Sequence, residues 1–319
     1  MVGESLVSPR RPVDSGHFHG DVYHDSLQRV CLGTAFGANS PVLGILHQIS
    51  ITCFFTSYLV ALLLELTRLV GQFRFRMAAV LAMMGVGLFT HISYLFLRAV
   101  DLPDDDGRGL LSSWAEWSLL LALGLAICFL IAYVRRSDTI ISFFFLPLIL
   151  LTIGLGIWIG GWERFSRTET ANAWRSIHGL AMMIGTGAVL VGFLAGVMYL
   201  VQSWRLKHKR AGMRGFRLPT LETLDWANRR TLVISTAAVG IGVVAGAIMN
   251  LNQNEHFEWS DGGILLSLVL FLWLVAATAI EFLYSPASRG RKAFYMTLAS
   301  LGFLVLALVG VIFSSHGVG

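Results

Sequence analysis

The sequence is poor in charged residues. Asp, Glu, Lys and Arg make up 13% of its 319 residues, whereas a soluble protein carries about a quarter. Hydrophobic residues make up 55% and the mean hydropathy is +0.68, so most side chains must face an apolar environment. This composition excludes a soluble enzyme, a nucleic-acid-binding protein and a disordered scaffold.

Cysteine is also scarce. The chain has three, Cys31, Cys53 and Cys128, which lie far apart and form neither a C-x-x-C nor a C-x-x-C-H motif. These spacings exclude a disulfide-stapled secreted module, a covalent haem attachment site and a zinc-binding cysteine motif. The three cysteines are therefore interpreted as small apolar residues.

Long apolar runs dominate what remains. A helix needs about 20 apolar residues to cross the ~30 Å hydrocarbon core of a bilayer. The sequence therefore predicts an all-α, polytopic integral membrane protein with a membrane domain over residues 43–319. The polar residues 1–42 are predicted to be a mobile N-terminal tail and not a signal peptide. The eight predicted spans are 43–64, 77–100, 114–134, 139–160, 177–201, 231–251, 263–284 and 293–315.

Basic residues predict the orientation of these spans. Sixteen of the 24 Lys and Arg lie in or beside alternate connections. Because basic residues accumulate on the cytoplasmic side, these connections are predicted to be cytoplasmic. Both termini are then extracytoplasmic, and the membrane is predicted to be the cell inner (plasma) membrane. The sixteen residues are Arg68, Arg74, Arg76, Arg135, Arg136, Arg205, Lys207, Lys209, Arg210, Arg214, Arg217, Arg229, Arg230, Arg289, Arg291 and Lys292.

Histidines are the main candidates for chemistry. In this topology His47, His91, His178 and His316 lie towards the outer face, on four different spans. Several neutral imidazoles at one depth on different helices suit axial ligation of haem. Zinc is the competing ligand, but neither well-placed cysteines nor clustered carboxylates accompany the histidines. A simpler alternative is that each imidazole hydrogen-bonds a neighbouring helix or sits at the membrane interface.

Tryptophan and glycine add two further patterns. The tryptophans near the predicted outer face form either an aromatic belt or a stacking surface for a flat ligand. G-x-x-x-G pairs at 156–160, 192–196 and 242–246 place two glycines on one helix face, where another group can approach closely. The six outer tryptophans are Trp114, Trp117, Trp158, Trp162, Trp174 and Trp259.

Several motifs together resemble the cytochrome c assembly proteins of the CcsA type, including their HemX-like relatives. The similarity covers about residues 43–319. The most specific motif is Leu-Pro-x-Leu-Glu-x-Leu-Asp at 218–225, interpreted as a cytoplasmic linker, together with the glycine-rich span after it. The other motifs are Trp-Arg-Ser-Ile-His at 174–178, Gly-Val-Met-Tyr-Leu at 196–200, Gly-Ala-Ile at 246–248 and Ser-His-Gly at 315–317.

The resemblance implies a haem-handling function. In that family, haem is presented at the outer face to apocytochrome c by two histidines that flank a tryptophan-rich loop, and His178 and His316 match these two ligands of the haem iron. The family's tandem tryptophans and Asp-Pro are missing here, and Trp259 with Phe257 are expected to form a reduced stacking platform. His91, with His47, is expected to hold a second haem or an uptake site.

The resulting hypothesis is a haem-binding scaffold in cytochrome c biogenesis and not a catalyst in its own right. It implies non-covalently bound haem b as cofactor, and apocytochrome c or another assembly subunit as partner, in the lipid bilayer. One alternative is a HemX-like regulatory membrane partner of haem synthesis. Others are a small-molecule transporter, or an oxidoreductase subunit that passes electrons between two haems.

Overall fold

The computed structural model describes residues 50–69, 75–100, 113–135, 139–159, 173–208, 217–254, 262–283, 298–302 and 304–305. The ordered elements in these ranges are helices, joined in one place by an isolated backbone bridge between Thr139 and Arg217. Residues 298–302 and 304–305 are also helical. The seven helices are α1 Ile51–Leu66, α2 Arg76–Val100, α3 Trp114–Arg135, α4 Ser142–Ile159, α5 Ala173–Lys207, α6 Leu221–Asn254 and α7 Gly262–Leu283.

Five of these helices, α2, α3, α5, α6 and α7, are long and apolar enough to cross a membrane. The helices α1 and α4 are apolar but shorter over the described residues. Large hydrophobic side chains on the helix surfaces, such as Phe89 and Phe96, are mostly exposed. This exposure is expected of side chains that face lipid in a membrane protein. The chain is therefore a multi-pass helical membrane protein. The predicted span 293–315 and the first part of the predicted span 43–64 lie largely outside the described residues.

Two helices are longer than their predicted spans. Helix α5 covers 173–207 where 177–201 was predicted, and α6 covers 221–254 where 231–251 was predicted. The prediction that residues 218–225 are a linker is wrong for the second half of that motif. Thr220 precedes α6, and its Oγ1 accepts a hydrogen bond from the Thr223 backbone N–H at 3.4 Å. A threonine in this capping position favours helix from Leu221 onwards.

The buried side chains form two clusters. The larger cluster joins α1, α2, α3 and α4 and includes Phe54, Tyr58, Phe129 and Tyr133, with α5 contributing residues such as Met198. The smaller cluster joins α5, α6 and α7. Helix α5 therefore links the two groups of helices. The smaller cluster consists of Val189, Leu232, Val239, Leu270, Leu274 and Ala277.

Polar contacts near the helix ends define two ends of the bundle. Where α2 ends and α3 begins, Arg98 Nε donates to Glu116 Oε1 at 2.9 Å. Where α1 and α3 end, Tyr133 Oη donates to Glu65 Oε1 at 2.7 Å. We name the first the His178 end, because α5 begins there with His178 in its second turn, and the second the Glu65 end.

The Glu65 end is held together by a buried carboxylate. Glu65 has no solvent exposure and accepts a second hydrogen bond, from Ser142 Oγ at 2.9 Å. The guanidinium groups of Arg68 and Arg76 lie 3.9 and 3.7 Å from its oxygens. A single side chain of α1 therefore contacts α2, α3 and α4. Arg229 of α6 pairs in a similar way with the buried Glu281 of α7, at 3.5 Å.

Candidate functional site

His178 lies at the start of α5, against α6. Its Nδ1 is 2.7 Å from the backbone oxygen of Gly242. A carbonyl oxygen can only accept, so Nδ1 carries the proton and donates. In the neutral imidazole, Nε2 then presents a lone pair, and no hydrogen-bond partner for Nε2 exists among the described residues. This is the arrangement by which proteins orient a metal-binding histidine: one ring nitrogen is anchored and the other is left to the metal.

Two glycines on one face of α6 leave the space in which the His178 imidazole packs. A Cβ at Gly246 would lie 2.9 Å from His178 Nδ1, and a Cβ at Gly242 would lie 2.8 Å from Met182 Sδ. Both distances are too short for a side-chain carbon, so α5 can approach this closely only where α6 carries glycine. The predicted G-x-x-x-G pair at 242–246 therefore forms the surface on which His178 lies.

The contacts between α5 and α6 also fix their register. Gly185 meets Val239, Met182 meets Gly242, and the His178 ring meets Gly246. Each step back along α5 is matched by an equal step forward along α6, so the two helices are antiparallel.

Aromatic side chains lie beside the histidine. The indole of Trp117 on α3 packs so closely on Gly179 that a Cβ there would collide with it. Trp174 is one helical turn before His178, hence on the same face of α5, and is partly exposed at 37%. The Trp117 indole therefore lies beside the first turns of α5, and a stacking surface formed by the tryptophans stays a prediction. Neither an aromatic belt nor a stacking role is decided by the position alone.

One polar residue near this site was not predicted from the sequence. Asn250 is one turn after Gly246 on α6 and is only 9% exposed. Its Oδ1 is buried and has no hydrogen-bond partner among the described residues. The signal was available in the sequence, since Gly242, Gly246 and Asn250 are spaced four residues apart and share one helix face.

His91 has different surroundings. It lies on α2 with no solvent exposure, and its ring stacks on Phe54 of α1 at a centroid distance of 4.1 Å and an interplanar angle of 1°. Tyr58 Oη is 3.3 Å from Nδ1. Nε2 has no partner of acceptable hydrogen-bond geometry within the described ranges, although the Leu119 backbone lies close to the ring. Haem binding at His91 stays a prediction, and it would require the residues packed around the ring to move apart.

The other predicted site residues, His47, Phe257, Trp259 and His316, lie outside the described residues, so the pairs His178–His316 and His91–His47 stay predictions. Within the described ranges, no three His, Cys, Asp or Glu side chains gather as a metal ion would require. A metal at His178 would therefore take its remaining ligands from a bound group or from other parts of the chain.

The fold and the site define a class of protein: a multi-pass helical membrane protein in which an anchored histidine lies at one end of the bundle. The sequence model described as "Cytochrome C assembly protein" matches residues 111–318, which is more than half of the chain. The chain belongs to the cytochrome c assembly protein family. His178, the glycine face of α6 and Asn250 all lie within the matched region.

Two relatives give the same indication. The chain is 27% identical over 164 residues to "Cytochrome c biogenesis protein CcsA" of Guillardia theta, covering 45% of this chain and 52% of that protein. It is 24% identical over 162 residues to the protein with the same description from Parasynechococcus marenigrum (strain WH8102), covering 44% and 52%. The chain thus spans about half the length of the curated relatives it matches. No solved structure matches it significantly.

The predicted resemblance to cytochrome c assembly proteins is confirmed by these matches. The HemX-like part of that prediction stays a prediction. So do the alternatives of a regulatory partner of haem synthesis, a transporter and an electron-transferring subunit.

Proposed function

We propose that this chain binds haem at the His178 end of its helix bundle and takes part in cytochrome c biogenesis. The observation that carries the proposal is the hydrogen bond from His178 Nδ1 to the Gly242 carbonyl oxygen, 2.7 Å long, which directs Nε2 away as a ligand. Family membership supplies the choice of haem over other metal groups. A haem iron accepts axial imidazole, and the hydrogen bond on the other ring nitrogen increases the imidazole's basicity.

The residues near His178 fit a flat, largely apolar group. The Trp117 indole packs on Gly179, next to His178 in sequence, and Trp174 lies one helical turn before His178 on α5. Apolar and aromatic surface of this kind would contribute affinity by removing the porphyrin faces from water. The axial histidine would then fix orientation more than it supplies binding energy.

In the proposal, His316 would be the second histidine that holds the haem iron, and Trp259 with Phe257 would pack against the haem. His91, with His47, would hold a second haem or an uptake site deeper in the bundle only if the residues packed on the His91 ring moved away. The haem would be held non-covalently, because the sequence has no C-x-x-C-H motif to attach it, and we propose haem b. When bound, haem supplies the iron and porphyrin that an apocytochrome c or another assembly subunit receives, while this chain serves as the scaffold that holds and orients it.

The proposed topology has eight spans, with both termini on the extracytoplasmic side of the plasma membrane. The alternating helix directions and the concentration of basic residues at the Glu65 end support it. In this orientation the His178 end faces outwards and the Glu65 end faces the cytoplasm.

The proposal is tested by purifying the protein after haem-replete expression and recording its absorption spectrum. The wild type is expected to show a haem band. His178→Ala is expected to weaken haem binding at least about tenfold, because the anchored ligand is lost. His208→Ala is the matched control: His208 is exposed at the far end of α5 and binds the Trp204 carbonyl at 2.9 Å. A colourless wild type, or a His178→Ala protein with undiminished haem, contradicts the proposal.

A further inference from the structure

Asn250 is a buried polar residue near the His178 end of the bundle. It is 9% exposed, and its Oδ1 is buried without a hydrogen-bond partner among the described residues. Leaving a buried amide oxygen unpaired is unfavourable, so native proteins rarely do so without a reason. A ligand, bound water or ion that is absent from the protein alone is one such reason.

The register between α5 and α6 places Asn250 one helical turn beyond the glycine that faces His178. The contact pairs Gly185–Val239, Met182–Gly242 and His178–Gly246 advance in equal and opposite steps. The next step along the same interface brings Trp174 opposite Asn250. The Asn250 amide therefore lies one helical turn, ~6 Å along the axis, from Gly246, which packs against the His178 ring.

Side-chain direction reinforces this placement. Helical side chains lean towards the N-terminus of their own helix. Helix α6 begins at the Glu65 end, so the Asn250 side chain leans back towards Gly246 and the imidazole. Helix α5 begins at the His178 end, so the His178 side chain leans towards Asn250. Both side chains are therefore expected to lie in the same part of the groove between the two helices.

We infer that the Asn250 carboxamide hydrogen-bonds a propionate carboxyl group of the haem held by His178. The inference rests on the proposed function. The periphery of a porphyrin is apolar apart from its two propionates, so these are the groups on haem that can satisfy an amide. Rotating the amide by half a turn exchanges its oxygen and nitrogen, and the residue can thus donate to a carboxylate or accept from a protonated carboxyl.

The roles of the two residues differ. His178 binds the iron, whereas Asn250 determines which edge of the porphyrin points into the groove between α5 and α6. A haem that could rotate about its iron–imidazole axis would present its reactive edge in several directions. A hydrogen bond from a buried asparagine to one propionate selects one of them, and so makes Asn250 a positioning residue for the cargo.

The inference is tested with Asn250→Leu, a change of similar size that removes the amide. In the haem-free protein, Asn250→Leu is expected to raise the melting temperature by about 2 °C or more, because an unpaired buried polar group is removed. The dissociation constant for haemin is expected to rise about tenfold, as for loss of one hydrogen bond to a charged group. Haemin dimethyl ester, in which both propionates are esterified, is expected to bind wild type and variant almost equally.

Asn228→Leu is the matched control. Asn228 is also a buried asparagine of α6, but it lies ~33 Å from Asn250 along the helix axis, near the Glu65 end. Its replacement is expected to leave haemin affinity unchanged, whatever it does to stability. Asn250→Ala serves if Asn250→Leu does not fold, because the comparison between haemin and its ester does not depend on the stability of the variant.

Three results would overturn the inference. If Asn250→Leu binds haemin as tightly as the wild type does, Asn250 makes no contact with haem, and the proposed function still stands. If haemin and its ester lose equal affinity, the residue supports the helices and not a propionate. If the wild type itself binds no haemin, the proposed function fails and the inference fails with it.

Discussion

At the scale of single residues, Gly246 is the sharpest test of how His178 is held. A Cβ added there would lie 2.9 Å from Nδ1 and 3.1 Å from Cε1 of the imidazole. Gly246→Ala is therefore expected to push the ring off the Gly242 carbonyl and to weaken haem binding roughly fivefold or more, the equivalent of losing ~1 kcal/mol. Haemin titration of the purified variant measures this.

Gly85→Ala is the control for Gly246→Ala. Gly85 is on α2, and a Cβ there meets nothing within 4 Å. Alanine at such a helical position is expected to be neutral or to stabilise the protein by up to about 1 kcal/mol, with unchanged haem affinity. Equal haem affinities for the two variants would show that the imidazole does not depend on the bare glycine surface.

The sequence predicted the role of single residues correctly where that role follows from their spacing along a helix. The G-x-x-x-G spacing at 242–246 predicted a surface open to close approach, and the structure places His178 and Met182 on it. What the spacing could not predict is which group lies there, since that depends on the relative register of α5 and α6. The spacing that puts Asn250 on the same helix face as Gly246 is visible in the sequence, but the missing partner of its side-chain oxygen is visible only once the helices are packed.

At the scale of helices, the buried Glu65 connects α1 to three others. It accepts hydrogen bonds from Tyr133 and Ser142 and faces the guanidinium groups of Arg68 and Arg76. Glu65→Gln keeps the shape but removes the charge that both arginines face. It is expected to destabilise the protein by about 3 kcal/mol or more.

Denaturant unfolding in detergent, followed by tryptophan fluorescence, measures the Glu65→Gln effect. Glu222→Gln, at an exposed position in the first turn of α6, is the control and is expected to change stability by only about 0.5 kcal/mol. The same unfolding midpoint for Glu65→Gln and wild type would mean that the buried carboxylate does not hold α1 to α4 together.

The existence of helices was predicted well from the sequence, whereas their ends were not. Apolar runs located α2, α3, α5, α6 and α7, because a bilayer demands about 20 apolar residues. Hydropathy does not report the turns that continue beyond the lipid, so the first ten residues of α6, which contain Glu222, Asp225, Arg229 and Arg230, were assigned to a loop. The Thr220 cap was the local signal for that helix start.

At the scale of the whole molecule, the proposed topology can be tested by cysteine labelling. With the three native cysteines replaced by serine, Asp105→Cys, Gly3→Cys and Gly319→Cys are expected to react with a membrane-impermeant maleimide in intact cells. Gly212→Cys is expected to react only after permeabilisation. If only one of Gly3→Cys and Gly319→Cys reacts in intact cells, the number of spans is odd and the proposed count of eight is wrong. If Gly212→Cys reacts in intact cells, the orientation is the reverse of the proposed one.

The sequence predicted both the class of protein and its family correctly. Hydropathy indicates a helical membrane protein, and a few spaced motifs indicate the family. The sequence could not supply the geometry of the proposed haem site. Only His178 among the proposed outer-site residues lies in a described range, and its role depends on the carbonyl it contacts on another helix.

The most direct measurement of the central claim is chemical rescue of His178→Gly. The purified variant is expected to have lost most of its haem band, and added imidazole, which can occupy the space left by the side chain, is expected to restore it. His208→Gly, carried through the same procedure, should keep its haem throughout. A His178→Gly protein that retains the wild-type haem spectrum, or one that imidazole leaves unchanged, would contradict the assignment of His178 Nε2 as a ligand of the haem iron.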